Sequence, residues 1–150
     1  MVSQSFVSTE DKLDGINIKM SVSGQANDKK ISYVLKDDTG KTVTLGDASL
    51  EKIKAGRFFS LKFDELTGCK GKRYTFELTV EQCEKDTQVI VYAVPGASKD
   101  SLLVVKGEKA DGVMVLRTVT HRFDVETFIV TALFILYVIF FIRWLSKVFK

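Results

Sequence analysis

Sixteen consecutive residues near the C-terminus, Thr127 to Ile142 (TFIVTALFILYVIFFI), carry no charge. A helix built from them is apolar on every side, so it needs a surrounding that is apolar on every side. The whole chain has 150 residues, enough for one ordinary domain and too few to enclose such a helix. Carried on through Arg143 and Trp144 to Leu145, the run spans about 28 Å as a helix, close to the ~30 Å of a bilayer's hydrocarbon core. The sequence therefore predicts one transmembrane helix over residues 127–145, a short juxtamembrane connector over 121–126 and a basic tail over 146–150.

Charge sets the expected orientation. Residues 1–126 carry as many basic as acidic side chains, so the net charge of +3 comes from Arg143, Lys147 and Lys150. Arg143 sits where a long side chain can snorkel, Trp144 suits the headgroup boundary, and Lys147 and Lys150 follow as interface residues. The positive-inside rule places that end in the cytoplasm and the preceding domain outside. The N-terminal stretch MVSQSFVSTEDK lacks a basic region followed by an apolar one. An extracytoplasmic domain thus implies an upstream signal or span, the favoured expectation, or export by other means, and a tail-anchored cytosolic domain is the alternative. Within the span, Thr131 and Tyr137 are the candidates to face a helix of a partner protein, together with Arg143; polar groups are costly against lipid and useful against another helix. The same residues can also be tolerated facing lipid.

Residues 1–120 read as an all-β domain. Tyr74, Phe76, Leu78 and Val80 alternate with Thr75, Glu77 and Thr79; Phe59, Leu61 and Phe63 alternate with Ser60 and Lys62; Ile16, Ile18 and Met20 alternate with Asn17 and Lys19. That period of two marks strands with one buried face. Residues 89–94 (VIVYAV) are apolar on both sides and suggest a strand buried on both faces. Asp14-Gly15, Asp38-Thr39-Gly40, Pro95-Gly96, Lys106-Gly107 and Asp111-Gly112 read as turns between strands. Eight or nine short strands at this spacing predict an antiparallel β-sandwich or jelly roll, followed by the C-terminal helix. One short helix, starting at Asp47 as cap and running to Ile53, would bury Leu50 and Ile53 on one face.

The catalytic inventory is sparse. The single histidine, His121, lies at the membrane boundary with no second ligand at metal spacing. Asp14, Asp64 and Glu65 supply carboxylates, but their turn positions account for them without glycosidase chemistry. Asp37-Asp38-Thr39-Gly40 reads as a hairpin turn; a structural calcium is the other use of such residues, although the spaced acidic ligands of an EF-hand loop are missing. No cofactor and no enzymatic activity are expected. The neutral domain gives no basic face for nucleic acid. Cys69 and Cys83 flank a strand about 25 Å long, so two free thiols are expected unless the flanking loops fold back. For sugar recognition the candidate stacking platforms are Tyr33, Phe58 and Tyr92; the same positions also suit core or rim residues.

Several segments together carry a family resemblance: Ser3-Gln4-Ser5-Phe6, Leu13-Asp14-Gly15-Ile16-Asn17-Ile18, Ser32-Tyr33-Val34-Leu35-Lys36-Asp37, Phe58-Phe59-Ser60-Leu61-Lys62-Phe63-Asp64 and Lys70-Gly71-Lys72-Arg73-Tyr74-Thr75-Phe76. In that order and spacing, residues 3–94 resemble the extracytoplasmic β-sandwich module beside a transmembrane helix in bacterial membrane proteins of cell-surface polysaccharide assembly, membrane glycosyltransferases among them. The shared motifs are strand entries and a turn, and the module has no assigned catalytic residues. The resemblance implies a non-catalytic accessory module in a bacterial cell membrane. The proteins it resembles are multi-span, and the single expected span and lack of a glycosyltransferase domain depart from them, so any transferase activity would belong to another chain or a missing portion. Its partners would be the bilayer, a membrane protein of glycan assembly and a surface glycan. A purely structural subunit of a membrane complex, without ligand, is the alternative.

Overall fold

The computed structural model describes residues 1–80, 87–96, 101–120 and 125–148. Cys83, His121 and Lys150, together with residues 121–124 of the expected connector, lie outside the described residues.

Alternation is realised as strands throughout. In chain order these are β1 (Val2–Val7), β2 (Leu13–Ser23), β3 (Lys30–Asp37), β4 (Thr42–Ser49), β5 (Arg57–Leu66), β6 (Arg73–Val80), β7 (Gln88–Val91), β8 (Ala93–Val94), β9 (Leu103–Val105), β10 (Glu108–Ala110), β11 (Val113–Met114) and β12 (Leu116–Val119). A six-stranded antiparallel sheet runs β10-β9-β1-β6-β3-β4. In a second sheet β2 pairs with β5 on one side and with both β12 and β7 on the other. The chain crosses between these sheets from β2 to β3 and again from β5 to β6, so each contributes to one core. Phe6, Ile31, Leu35, Phe76 and Leu78 from the first sheet and Ile16, Ile18, Met20 and Leu61 from the second form that buried cluster.

Three local expectations differ from the fold, each for a physical reason. Asp14-Gly15 is not a turn: both lie inside β2, where the register against β5 shifts between Leu13 and Gly15. Gly15 is required there by space, since a Cβ would stand 2.7 Å from the Leu61 carbonyl oxygen. The expected helix from Asp47 reduces to a single 3-10 turn, Leu50–Lys52. Asp47, Ala48 and Ser49 are taken by the β3 ladder instead, opposite Ser32, Ile31 and Lys30. The cap is Ser49, whose hydroxyl accepts from the Glu51 N–H; Leu50 and Ile53 are buried as expected. Residues 89–94 are not buried on both faces: Ile90, Tyr92 and Val94 are exposed, because no layer covers the outer side of their sheet among the described residues.

The hairpin turns follow backbone chemistry. At the β3–β4 turn, Asp37 Oδ1 accepts from the Thr39 hydroxyl and from the N–H groups of Thr39 and Lys41, and Gly40 takes φ 83°. The Thr39 hydroxyl bond, followed by the two backbone bonds, lowers the Asp37 pKa. At the β9–β10 turn, Lys106 and Gly107 both have positive φ, as a two-residue type I′ connection demands.

The ends of the chain are tied together inside the domain. Gln4 on β1 is buried, and its Oε1 accepts the Met114 N–H of β11. A second tie joins three segments through backbone alone. Lys19 N–H donates to the Val115 carbonyl, Val115 N–H to the Tyr92 carbonyl, and Tyr92 N–H to the Lys19 carbonyl. At this ring of bonds β2 exchanges β12 for β7 as its neighbour, while β8 and β11 leave to pair with each other.

The apolar run forms α1 (Val125–Val148), 24 residues with none buried. At about 36 Å it is long and apolar enough to cross a membrane. It begins two residues before the expected span and continues through Ser146, Lys147 and Val148, which the sequence assigned to a tail. Glu126 in its first turn and Lys147 in its last complement the helix dipole.

Candidate functional site

Two of the three expected sugar-stacking residues meet, and one does not. Tyr33 is only 6% exposed, so it offers no free ring face. It lies opposite Gly46, where a Cβ would stand 2.6 Å from its hydroxyl oxygen, and its ring stacks on Phe76 at 6.3 Å. Its hydroxyl donates to the Lys62 carbonyl of β5 at 2.8 Å, bridging the sheets. Burial, reinforced by the nearby Asp47 carboxylate, raises its pKa. Tyr33 is thus a core residue, at the floor of a groove of about 280 Å³ lined also by Asp47, Ser49, Lys52 and Lys62.

Phe58 and Tyr92 share the outer face of the four-stranded sheet. Ile16, Ile18 and Met20 point into the core, so Asn17, Lys19 and Ser21 point outward. Phe58 is the register partner of Lys19 on β5. Tyr92 stands on the other side of Lys19, joined to it by the backbone bond described above. Its hydroxyl shares a 3.1 Å hydrogen bond with Ser21 Oγ, which also accepts the Gly56 N–H at 2.7 Å. The phenol is therefore anchored at its hydroxyl, and 38% of the residue stays exposed, the same as Phe58.

A cation stands near each ring. Lys19 Nζ is 5.3 Å from the Tyr92 ring centroid, and the Arg117 guanidinium of β12 is 4.4 Å from that of Phe58. Such contacts contribute about 0.5–1 kcal/mol each at an exposed site. Behind this row runs a second, Ser60–Asn17–Arg117, in register across β5, β2 and β12. The result is a platform of two aromatics, two cations, an amide and a hydroxyl, carried on β2, β5 and β12 and on the link between β7 and β8 that holds Tyr92. Sequence alternation showed Lys19 and Asn17 to be outward but could not pair them with Phe58 and Arg117, because that requires the register between strands distant in sequence.

The remaining candidates are scattered. Glu65 is held by Lys12 at 2.8 Å, and Asp14 is buried. Cys69 is a buried free cysteine. Among the described residues no group of three His, Cys, Asp or Glu side chains is placed to hold a metal. On α1 the Thr131 hydroxyl donates to the Thr127 carbonyl at 2.7 Å, so its proton is used within the helix. Thr131, Tyr137 and Arg143 are each six residues apart, about 120° around a helix, and no single partner helix can face all three. Tyr137, Phe141 and Trp144 do share a side: their rings form a ladder with centroids 6.1 and 6.2 Å apart.

No protein-family model, curated protein or solved structure matches the chain.

Proposed function

We propose that the chain is a non-catalytic, membrane-anchored accessory module of bacterial cell-surface polysaccharide assembly. It crosses the cell membrane once through α1, holds its sandwich outside and its C-terminus in the cytoplasm, and binds a surface glycan on the platform around Lys19. The observation that supports this reading best is the presence of Phe58 and Tyr92 on one sheet face, with one candidate span among the described residues. Sugar rings present apolar C–H faces and hydroxyl rims, which suit exposed aromatic rings set among polar side chains. The resemblance of residues 3–94 to modules of this kind points the same way.

The test is glycan binding by the full chain in nanodiscs of zwitterionic lipid. Phe58→Ala and Tyr92→Ala should each weaken binding several-fold, and Tyr33→Phe should leave it unchanged; binding that ignores Phe58 and Tyr92 refutes the site. Orientation is read separately. Buried Cys69 is a poor target for an impermeant maleimide, so the reporter is Lys41→Cys in the exposed β3–β4 turn, compared with the unsubstituted chain. Labelling of Lys41→Cys only after lysis would make this a cytosolic, tail-anchored domain.

The ring ladder of Tyr137, Phe141 and Trp144 supports a second reading, a structural subunit that docks on a partner's transmembrane helix. Co-purification of a membrane protein that is lost on Phe141→Leu, with no glycan bound, would favour it.

A further inference from the structure

We infer that the ligand of the Lys19 platform is anionic: a glycan with a carboxylate or phosphate on its repeating unit, bridged by Lys19 and Arg117 while Phe58 and Tyr92 support its apolar surface. The inference rests on the reading that this face binds a glycan, and it adds the ligand's charge.

Lys19 and Arg117 are diagonal neighbours on adjacent antiparallel strands, since Arg117 stands opposite Asn17, two residues before Lys19. Diagonal neighbours of this kind are about 7–8 Å apart, a gap that an anion held by two long side chains can span. Opposite charges paired across a ladder stabilise a sheet, and like charges brought close on one face oppose it. Here the intervening register partners are Phe58, Asn17 and Ser60, none of them charged. The ion pairs seen among the described residues, Lys12–Glu65 and Lys36–Glu77, involve neither cation. The outward series on β5 continues through Lys62 to Asp64, which is six residues and roughly 20 Å along the strand from Phe58.

The cations also keep their donors. Among the described residues neither Lys19 Nζ nor the Arg117 guanidinium donates a hydrogen bond to a protein group; each is positioned by a ring instead. Even Asn17 Oδ1, buried and next to Arg117 in register, receives no hydrogen bond. Residues 1–126 are neutral overall, so this pairing of cations is a local arrangement in a balanced domain. An oxyanion between Lys19 and Arg117 removes their mutual repulsion and accepts charge-assisted hydrogen bonds from both. A neutral sugar hydroxyl accepts hydrogen bonds from both but leaves their repulsion in place.

The experiment uses the full chain in zwitterionic nanodiscs and two matched pairs of probes: polygalacturonate with its methyl ester, and phosphorylated dextran with dextran. At least one charged form should bind roughly tenfold or more tightly than its neutral partner, and added salt should weaken that binding. Lys19→Gln and Arg117→Gln should each remove roughly tenfold in affinity for the charged form and weaken the neutral form far less. The charge-preserving Lys19→Arg and Arg117→Lys should retain the preference, which separates loss of charge from loss of folding. Equal binding of charged and neutral forms overturns the inference and leaves the glycan reading standing. No binding to any probe overturns both. Capture of anionic phosphatidylglycerol vesicles with no glycan bound assigns the face to lipid headgroups and overturns both. A charge preference that survives the combined Lys19→Gln, Arg117→Gln substitution places the anion elsewhere and overturns it too.

Discussion

Replacing Gln4 by Met tests how the two ends of the domain are held together. Gln4 is 2% exposed, and its Oε1 is the acceptor for the Met114 N–H. Met114 belongs to a strand of two residues whose ladder partner, β8, is equally short. Methionine has nearly the volume and flexibility of glutamine, so Gln4→Met leaves little cavity and adds no charge. What it removes is the acceptor, leaving a buried backbone donor without a partner, at a cost of about 1–3 kcal/mol. With a urea slope of roughly 2 kcal/mol per molar, the midpoint should fall by about 0.5–1.5 M. Trp144, the only tryptophan, lies on α1 and does not report on the sandwich, so the transition is followed by β-sheet circular dichroism in mild detergent. Gln4→Ala should cost more than Gln4→Met, because it adds a cavity to the lost acceptor. Amide exchange at Met114 should accelerate in both variants. An unchanged midpoint in Gln4→Met, with Met114 as protected as before, would show that this bond does not hold β11 and would refute the reasoning.

Gly15→Ala drives a methyl into the Leu61 carbonyl at 2.7 Å, backbone against backbone, and should destabilise the sandwich by roughly 1–3 kcal/mol in the same urea assay. Lys106→Asn relieves a lysine at φ 52° with a residue suited to that angle, and a rise of about 0.5 kcal/mol in unfolding free energy is expected. The pKa values of Tyr33 and Tyr74 are both raised from 10.0, chiefly by burial. The unfolded chain therefore loses these protons first, and stability should be fully present below pH 10 and decline as pH rises above it. Ultraviolet titration should show both phenols ionising late, and Tyr33→Phe should flatten part of the alkaline decline; equal slopes in the two proteins would refute the assignment to Tyr33.

The strands were legible where one face is buried and the other wet. Arg73–Val80 is such a segment, and its alternation survives as the burial pattern of β6. The uncharged run likewise forms one uninterrupted helix, since nothing in it breaks a helix. Legibility failed where long-range pairing decided. Asp14-Gly15 has the local chemistry of a turn, but Ile16, Ile18 and Met20 must face the core, and continuing β2 backward through Gly15 extends the ladder with β5. Asp47–Ser49 can start a helix locally, yet the ladder to β3 satisfies those backbone groups first. The platform was half visible: Phe58 and Tyr92 were evident as aromatics, whereas Lys19 and Arg117 acquire their role from register. Tyr33 reads like its two companions in sequence and is separated from them only by which sheet, and which side of it, it occupies.

The ring of three backbone bonds at Lys19, Val115 and Tyr92 also defines a mechanical load path. The chain passes from β12 to α1 within a few residues, so a pull on the anchor acts along β12. Antiparallel ladder bonds lie across the strands, and tension along β12 is therefore shared in shear by its four register pairs with β2. The ring lies just beyond the last of these pairs, and it includes the backbone of Lys19, whose side chain forms the platform. Traction between a bilayer and anything gripped at that platform converges on this junction and does not spread through the six-stranded sheet. Fatigue and forced unfolding should begin where four short strands, β7, β8, β11 and β12, exchange partners.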